Sequence, residues 1–149
     1  MNNYYTVEVV PHDDSEKTAY ALSVQQENYL KSNLRDNAFE QARANADYRV
    51  ALTGDAERQI IEDEWLGFSD ECDFRQITVN QTGNYSLAIT DSMADLNMTL
   101  WQEYNGVLLA IAQGENSIAD VSLQYAATYY LEIDSMGAKS VNYGVLASC

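Results

Sequence analysis

Short segments in which apolar and polar residues alternate run through the stretch from Asp70 to Ile133, and Gly, Asn or Asp interrupts them. Successive side chains of a β-strand point to opposite faces, so this alternation predicts strands with one buried face. Four sets are in phase to line a core: Ile77 and Val79; Tyr85, Leu87 and Ile89; Leu96, Met98 and Leu100; Tyr129, Leu131 and Ile133. Four such strands joined by compact turns predict a sandwich core.

Further segments inside and outside this stretch complete the same architecture. Further alternating segments predict strands at 48–52, 60–66, 107–112, 117–123 and 140–147, and Asn105-Gly106 favours a tight hairpin. Asp36-Asn37 offers a helix N-cap before the good helix formers of residues 38–44. Strands and helices do not alternate. We therefore predict an all-β fold, a jelly-roll-like antiparallel β-sandwich of about nine strands with one short N-terminal helix.

The first 24 residues predict an extra β-hairpin that precedes the sandwich. Tyr5, Val7 and Val9 alternate with polar residues, a turn follows at 11–15, and the pattern resembles the chain's own residues 129–147. We interpret residues 1–24 as the end of a preceding repeat, 25–35 as a linker and 36–149 as the sandwich domain. The hairpin can pack on its own sandwich, which predicts a monomer, or replace the matching hairpin of another copy, which gives a swapped dimer.

The charge balance excludes several classes of partner. The 149 residues include 8 Lys or Arg and 23 Asp or Glu, a net charge of −15. Nucleic acids and anionic membrane surfaces are bound by clustered basic residues, so neither is expected as a partner. No segment is long and apolar enough to span a membrane, and no signal-peptide pattern opens the sequence. An acidic surface fits solubility, cation binding, or both.

Three groups of residues resemble the bacterial pre-peptidase C-terminal (PPC) domain family and the similar tandem modules of large bacterial surface proteins. Residues 36–42 resemble its opening motif, and residues 65–74 resemble its acidic turn leading into a strand. Residues 83–87, 96–101 and 128–130 resemble its later strands, so the likeness covers about 36–147. Ala127 replaces the usual Gly, and Arg75 lies in phase with Ile77 where an aromatic residue is usual.

Arg75 is a charged residue that this phase directs inward, next to Ile77 and Val79. An unpaired buried charge is very costly, so the guanidinium needs a carboxylate partner or an escape to the rim. We expect it at the strand end, paired with Asp70 or Asp73.

The resemblance implies one candidate metal site. Some members of the family bind calcium between the opening segment and the acidic turn, which corresponds here to Asp36, Asn37, Asp70 and Asp73. The glutamates that precede the opening motif in those members are missing, so we expect no cofactor and a fold almost indifferent to calcium. Calcium at these four residues is the alternative, because carboxylate and amide oxygens are its ligands. The loop at 91–95 is a weaker second place.

No arrangement of residues points to catalysis. The sequence has a single histidine, His12, and no nucleophile motif or phosphate-binding Gly-rich loop. Cys72 and Cys149 permit at most one disulfide, and the sequence leaves open whether they are bridged. We therefore predict that the protein is not an enzyme.

Exposed aromatic residues are the remaining candidates for ligand binding. Trp65, Trp101 and Tyr104 can stack on sugar rings, anchor a protein partner, or cover a neighbouring repeat. We predict a non-catalytic module of a large, repetitive secreted or cell-surface bacterial protein, acting as a spacer, adhesion unit or accessory domain next to neighbouring repeats. The alternative is a binding module for carbohydrate or for a collagen-like extracellular protein.

Overall fold

A computed structural model of the chain describes residues 36–67, 70–135 and 140–149. The predicted hairpin at 1–24 and the predicted linker at 25–35 lie outside these residues.

One short helix and nine strands make up the described part of the chain. The helix α1 spans Phe39–Ala44, and a 3₁₀ turn follows at Ala46–Tyr48. The strands are β1 Arg49–Leu52, β2 Arg58–Gly67, β3 Cys72–Val79, β4 Gly83–Thr90, β5 Asn97–Tyr104, β6 Val107–Glu115, β7 Ser117–Leu123, β8 Tyr129–Asp134 and β9 Ser140–Ser148.

These strands form two sheets that pack face to face. The five-stranded sheet has the order β1-β3-β8-β5-β6, and the four-stranded sheet has the order β2-β9-β4-β7. The predicted all-β sandwich with one short helix is therefore confirmed. One pair departs from the antiparallel pattern: β1 and β3 run parallel, because the chain passes through β2 of the other sheet between them.

The core is built from the residues that the alternation selected. Nine of the predicted core residues are at most 1% exposed, Val79 is 4% exposed, and Ile89 is partly buried against the same cluster. The nine are Ile77, Tyr85, Leu87, Leu96, Met98, Leu100, Tyr129, Leu131 and Ile133. The predicted phase of the sheets is thus confirmed.

The helix α1 covers the outer face of the five-stranded sheet. Tyr129 and Leu131 face the core, so Tyr130 between them points to the other face, where the ring of Phe39 meets it edge-on at a centroid distance of 5.5 Å. Arg43 in the last turn of α1 reaches the Glu103 carboxylate at 2.9 Å. Tyr130 is therefore buried although it lies on the outer face.

The β5–β6 connection is the tight hairpin that Asn105-Gly106 predicts. Asn105 has φ 50° and Gly106 has φ 82°, the left-handed conformation that a two-residue turn of this kind requires at both positions. Its geometry fixes the register of β5 and β6, which pairs Tyr104 with Val107.

No helix among the described residues has the length and apolar character to cross a membrane.

The phase of the core yields a stability prediction. Replacing the fully buried Leu87 with Ala removes apolar contacts and leaves a cavity, so Leu87→Ala should lower the free energy of unfolding by about 2–5 kcal/mol. Thr78→Ala, at an exposed position of β3, should change it by less than about 0.5 kcal/mol. Urea unfolding of both variants measures the difference. Equal effects would contradict the assigned faces.

Candidate functional site

Three buried aspartates meet at one end of the sandwich. One carboxylate oxygen from each of Asp36, Asp70 and Asp73 lies within 4.8 Å of the other two, and all three residues are 0% exposed. They come from three different segments: the stretch before α1, the turn between β2 and β3, and the start of β3. We call them the carboxylate cluster.

Main-chain hydrogen bonds hold each aspartate in place. The N–H of Phe74 donates to the carbonyl of Asp36 at 2.7 Å, so the segment before α1 lies against β3. Gly67 and Asp70 exchange two main-chain bonds, at 2.9 and 3.1 Å, which close the turn after β2. Asp73 is simply the first inward-facing residue of β3, in phase with Ile77. The cluster is therefore fixed by backbone structure.

Arg75 is buried beside the cluster, two residues further along the same face of β3. Its guanidinium donates to the Asp36 carboxylate and, at 2.6 Å, to the Glu64 carboxylate of β2. The ring of Tyr48 lies 4.7 Å from the guanidinium carbon and covers one of its faces.

This arrangement corrects two sequence predictions. The salt-bridge partners of Arg75 are Asp36 and Glu64, whereas we expected Asp70 or Asp73. The predicted helix cap is also wrong, because the N-cap of α1 is Ala38 with no side-chain bond. Both differences have one cause: the segment that carries Asp36 lies against β3, and its carboxylate turns inward to the guanidinium.

Tyr143 of β9 completes the shell around the cluster. Its hydroxyl donates to Oδ2 of Asp73 across the sandwich. The second oxygens of two aspartates, Oδ1 of Asp36 and Oδ1 of Asp73, are buried and have no hydrogen-bond partner in the described part of the chain. A buried carboxylate oxygen without a partner is unfavourable, so each of the two needs a proton, a water molecule or a cation as its partner.

The charges of the site do not balance. If Asp36, Glu64, Asp70 and Asp73 were all ionised, four negative charges would face the single positive charge of Arg75. Burial, followed by the charge of Asp36, raises the pKa of Asp73 to about 9. Burial also raises the pKa of Asp36 and of Glu64, although Arg75 opposes both shifts. Without a bound cation, the site therefore holds protons at neutral pH.

The structure places the predicted calcium residues as follows. Asp36, Asp70 and Asp73 come together as predicted, and Asn37 follows Asp36 with its main-chain carbonyl 3.4 Å from the Cys72 thiol. In the described part of the chain, neither Cys72 nor Cys149 takes part in a disulfide, so the two are not bridged to each other. Burial raises the pKa of the Cys72 thiol to about 11, which leaves it protonated and unsuited to bind a metal.

Glu64 and Tyr143 belong to the site but were not predicted. Glu64 lies just after an irregular stretch of β2 in which Asp63 has φ 48° and the register with β9 shifts. A bulge of this kind interrupts alternation, so phase cannot assign Glu64 to a face. Tyr143 is in phase with the core residue Val145, but its hydroxyl partner comes from a distant segment.

The three candidate aromatic residues do not share one surface. Trp65 is 3% exposed in the four-stranded sheet, and its indole N–H donates to Ser140 at 2.8 Å. Trp101 is half-buried on β5 of the five-stranded sheet and donates to Glu132 at 2.8 Å. Tyr104 lies three positions along the same strand, on its opposite face.

The weaker second place for calcium is a cleft beside the loop after β4. Asp91 and Asp95 line this cleft, which has a volume of about 320 Å³. Asp95 accepts a hydrogen bond from the Asn116 side chain at 2.7 Å, and both aspartates are exposed. Water already solvates these carboxylates, so nothing in the cleft requires a cation.

Comparison with known proteins adds no family assignment. No protein-family model matches the sequence, and no curated protein matches it either. The resemblance to the PPC domain family stays a prediction.

The raised pKa values predict how stability depends on pH. Between the ordinary carboxyl range and about pH 9, folded Asp73 holds a proton that the unfolded chain releases, so the free energy of unfolding falls as pH rises. With divalent cations removed, Tm should fall from about pH 5 to pH 9. Asp73→Asn, which is neutral at every pH, should reduce this slope.

A destabilised variant provides the control for this measurement. Leu87→Ala should lower Tm at every pH and keep the slope of the original protein, because it changes no titrating group. A Tm that stays constant or rises between pH 5 and 9 would contradict the buried, protonated cluster.

Proposed function

We propose that this chain is a non-catalytic β-sandwich module of a larger secreted or cell-surface bacterial protein, acting as a spacer, adhesion or accessory domain. We further propose that its carboxylate cluster binds a divalent cation. The observation that carries the second statement is the pair of unpartnered, buried oxygens of Asp36 and Asp73, aimed into a group that Asp70 completes.

Burial of the carboxylate cluster supports a structural role over a catalytic one. Asp36, Asp70 and Asp73 are fully buried, so no substrate reaches them without unfolding of the surrounding turns. A catalytic carboxylate must contact its substrate within hydrogen-bond distance. A buried cation, by contrast, needs only the ligands that the fold already supplies.

The donor set fits calcium. Calcium prefers hard oxygen ligands, takes six to eight of them, and tolerates irregular geometry. The cluster offers carboxylate oxygens from three segments, and water and main-chain carbonyls are the usual source of the remaining ligands. A bound Ca²⁺ would also reduce the net charge of the ionised site from −3 to −1. This favours calcium, our alternative prediction, over a calcium-indifferent fold.

The position of the cluster suggests what the cation does. Asp36 joins the cluster from the segment before α1. Asp70 and Asp73 belong to the body of the sandwich. A cation between them would fasten the incoming chain to β3 and to the β2–β3 turn. In a multidomain protein, this would stiffen the junction between the module and what precedes it.

One observation favours ligand binding as a second function. A polar groove of about 380 Å³ lies over β5, β6 and β8. Its lining includes Asn97, Thr99, Gln113, Glu115, Glu132 and Asp134. Amide, hydroxyl and carboxylate groups of this kind bind sugar hydroxyls, and Trp101 donates to the groove residue Glu132. Trp101 does not itself line the groove, so carbohydrate binding remains the second candidate.

Thermal melts with and without calcium test the proposal. Calcium bound only to the folded state adds about 2.7 kcal/mol at one hundred times its Kd. For a domain of this size, Tm should then rise by about 5–10 °C relative to the same protein in excess chelator. Asp70→Asn should abolish the rise, because it removes a charged ligand while preserving shape.

Asp91→Asn is the matched control, since it makes the same chemical change in the exposed loop after β4. It should keep the full calcium response. An identical Tm in calcium and in chelator would contradict the cation proposal, as would an equal rise in the Asp70→Asn variant.

A further inference from the structure

Each sheet of the sandwich has two edge strands in the described part of the chain. They are β1 and β6 in the five-stranded sheet and β2 and β7 in the four-stranded sheet. An exposed edge presents unpaired main-chain N–H and C=O groups, to which another strand can add. Native proteins block such edges with short strands, charges and bulges.

Three of the four edges carry such protection. The strand β1 has only four residues, and Arg58 donates to its Ala51 carbonyl at 2.9 Å. The strands β2 and β7 both shift register, and each has an aspartate in the left-handed conformation: Asp63 at φ 48° and Asp120 at φ 50°. A bulge bends the strand, and the charge is costly to bury against an added strand.

The fourth edge, β6, lacks charge over most of its length. Residues 107–114 have no charged side chain and no proline, and the first charge is Glu115 at the end of the strand. A bulge opposite Leu100 and Trp101 leaves Ile111 as the extra residue, so even this irregularity presents an apolar side chain. Within the described residues, β6 therefore lacks the short length and the charges that help to protect the other edges.

An exposed apolar surface lies beside this edge. Val107 is 60% exposed, Leu109 is 53% exposed, and Tyr104 on β5 is 49% exposed. Val107 pairs with Tyr104 and Leu109 pairs with Gln102, which places them on the same face as the buried core residue Leu100. The core face of the five-stranded sheet therefore continues past the residues that the four-stranded sheet covers.

The negative charge of the protein favours a basic partner at this apolar surface. The described residues include 18 Asp or Glu and four arginines, of which Arg75 is buried in the cluster. Such a surface attracts basic segments and repels a second copy of a chain that carries −15. Apolar side chains at alternate positions would contact Val107 and Leu109, while basic side chains between them would complement the acidic surroundings.

We propose that β6 is a docking edge, at which an extended segment of a partner protein, alternating apolar and basic residues, adds as a further strand of the five-stranded sheet. Main-chain hydrogen bonds to β6 would supply affinity, and the apolar surface of Val107 and Leu109 would supply selectivity. The proposal goes beyond the module function and does not depend on the cation.

Binding of a synthetic probe to the full chain tests this proposal. The probe is a capped nine-residue peptide that alternates valine with lysine. Its binding is measured by fluorescence anisotropy. Leu109→Lys should weaken binding at least tenfold, which is about 1.4 kcal/mol. Ser122→Lys should leave it nearly unchanged. It introduces the same charge at an exposed position of β7, an edge of the other sheet.

N-methylated peptides test whether the probe pairs with β6 through main-chain hydrogen bonds. Only alternate amides of an added antiparallel strand point toward β6, so N-methylation of one alternate set should abolish binding and N-methylation of the other should not. Equal binding of the two methylated peptides would reduce the interaction to charge attraction and overturn the proposal. Absence of binding, or equal loss in Leu109→Lys and Ser122→Lys, would also overturn it.

Sedimentation of the free protein tests whether a second copy of the chain occupies β6. The proposal expects a monomer, because two copies repel each other. A dimer that Leu109→Lys dissociates and Ser122→Lys does not would assign β6 to a second copy of the chain, and would overturn a basic partner as its occupant.

Discussion

Four carboxylates surround one guanidinium inside this sandwich, and the charge imbalance dominates the end of the molecule where they meet. Arg75 is fixed on the inward face of β3, between the Asp36 carboxylate and the Glu64 carboxylate. Asp70 and Asp73 add two further carboxyl groups to the same buried volume. Ionised groups are costly in such surroundings, so protons or a cation that offset the excess negative charge stabilise the fold.

The same interaction holds the segment before α1 against β3. The sandwich core needs only the alternating residues of the strands, but the segment before α1 contributes little apolar surface to it. Its attachment depends on Asp36, which joins β3 through the Phe74 N–H and joins Arg75 through its carboxylate. A cation that links Asp36 to Asp70 and Asp73 would therefore fasten the segment before α1 to β3 and to the β2–β3 turn.

The alternation of apolar and polar residues was sufficient to predict the sandwich and its core. A strand with one buried face requires an apolar residue at every second position, and this pattern can be recognised within a short segment of the sequence. Residues such as Leu87 and Leu131 were assigned this way. The site was only partly predictable. Asp36, Asp70 and Asp73 came from a resemblance, whereas Glu64 follows a bulge that disrupts the period. The pairing of Arg75 with Asp36 spans 39 positions and depends on the path of the chain, which no local pattern encodes.

Diffraction from crystals grown with calcium or a lanthanide would test the central claim most directly, because an anomalous signal locates the ion without reference to stability. We predict one strong peak among Asp36, Asp70 and Asp73, with carboxylate oxygens about 2.3–2.6 Å from the calcium ion. Arg75 should keep its contacts with Asp36 and Glu64 in the same crystal. Peaks confined to exposed acidic residues, with the three buried aspartates free of metal, would contradict the account.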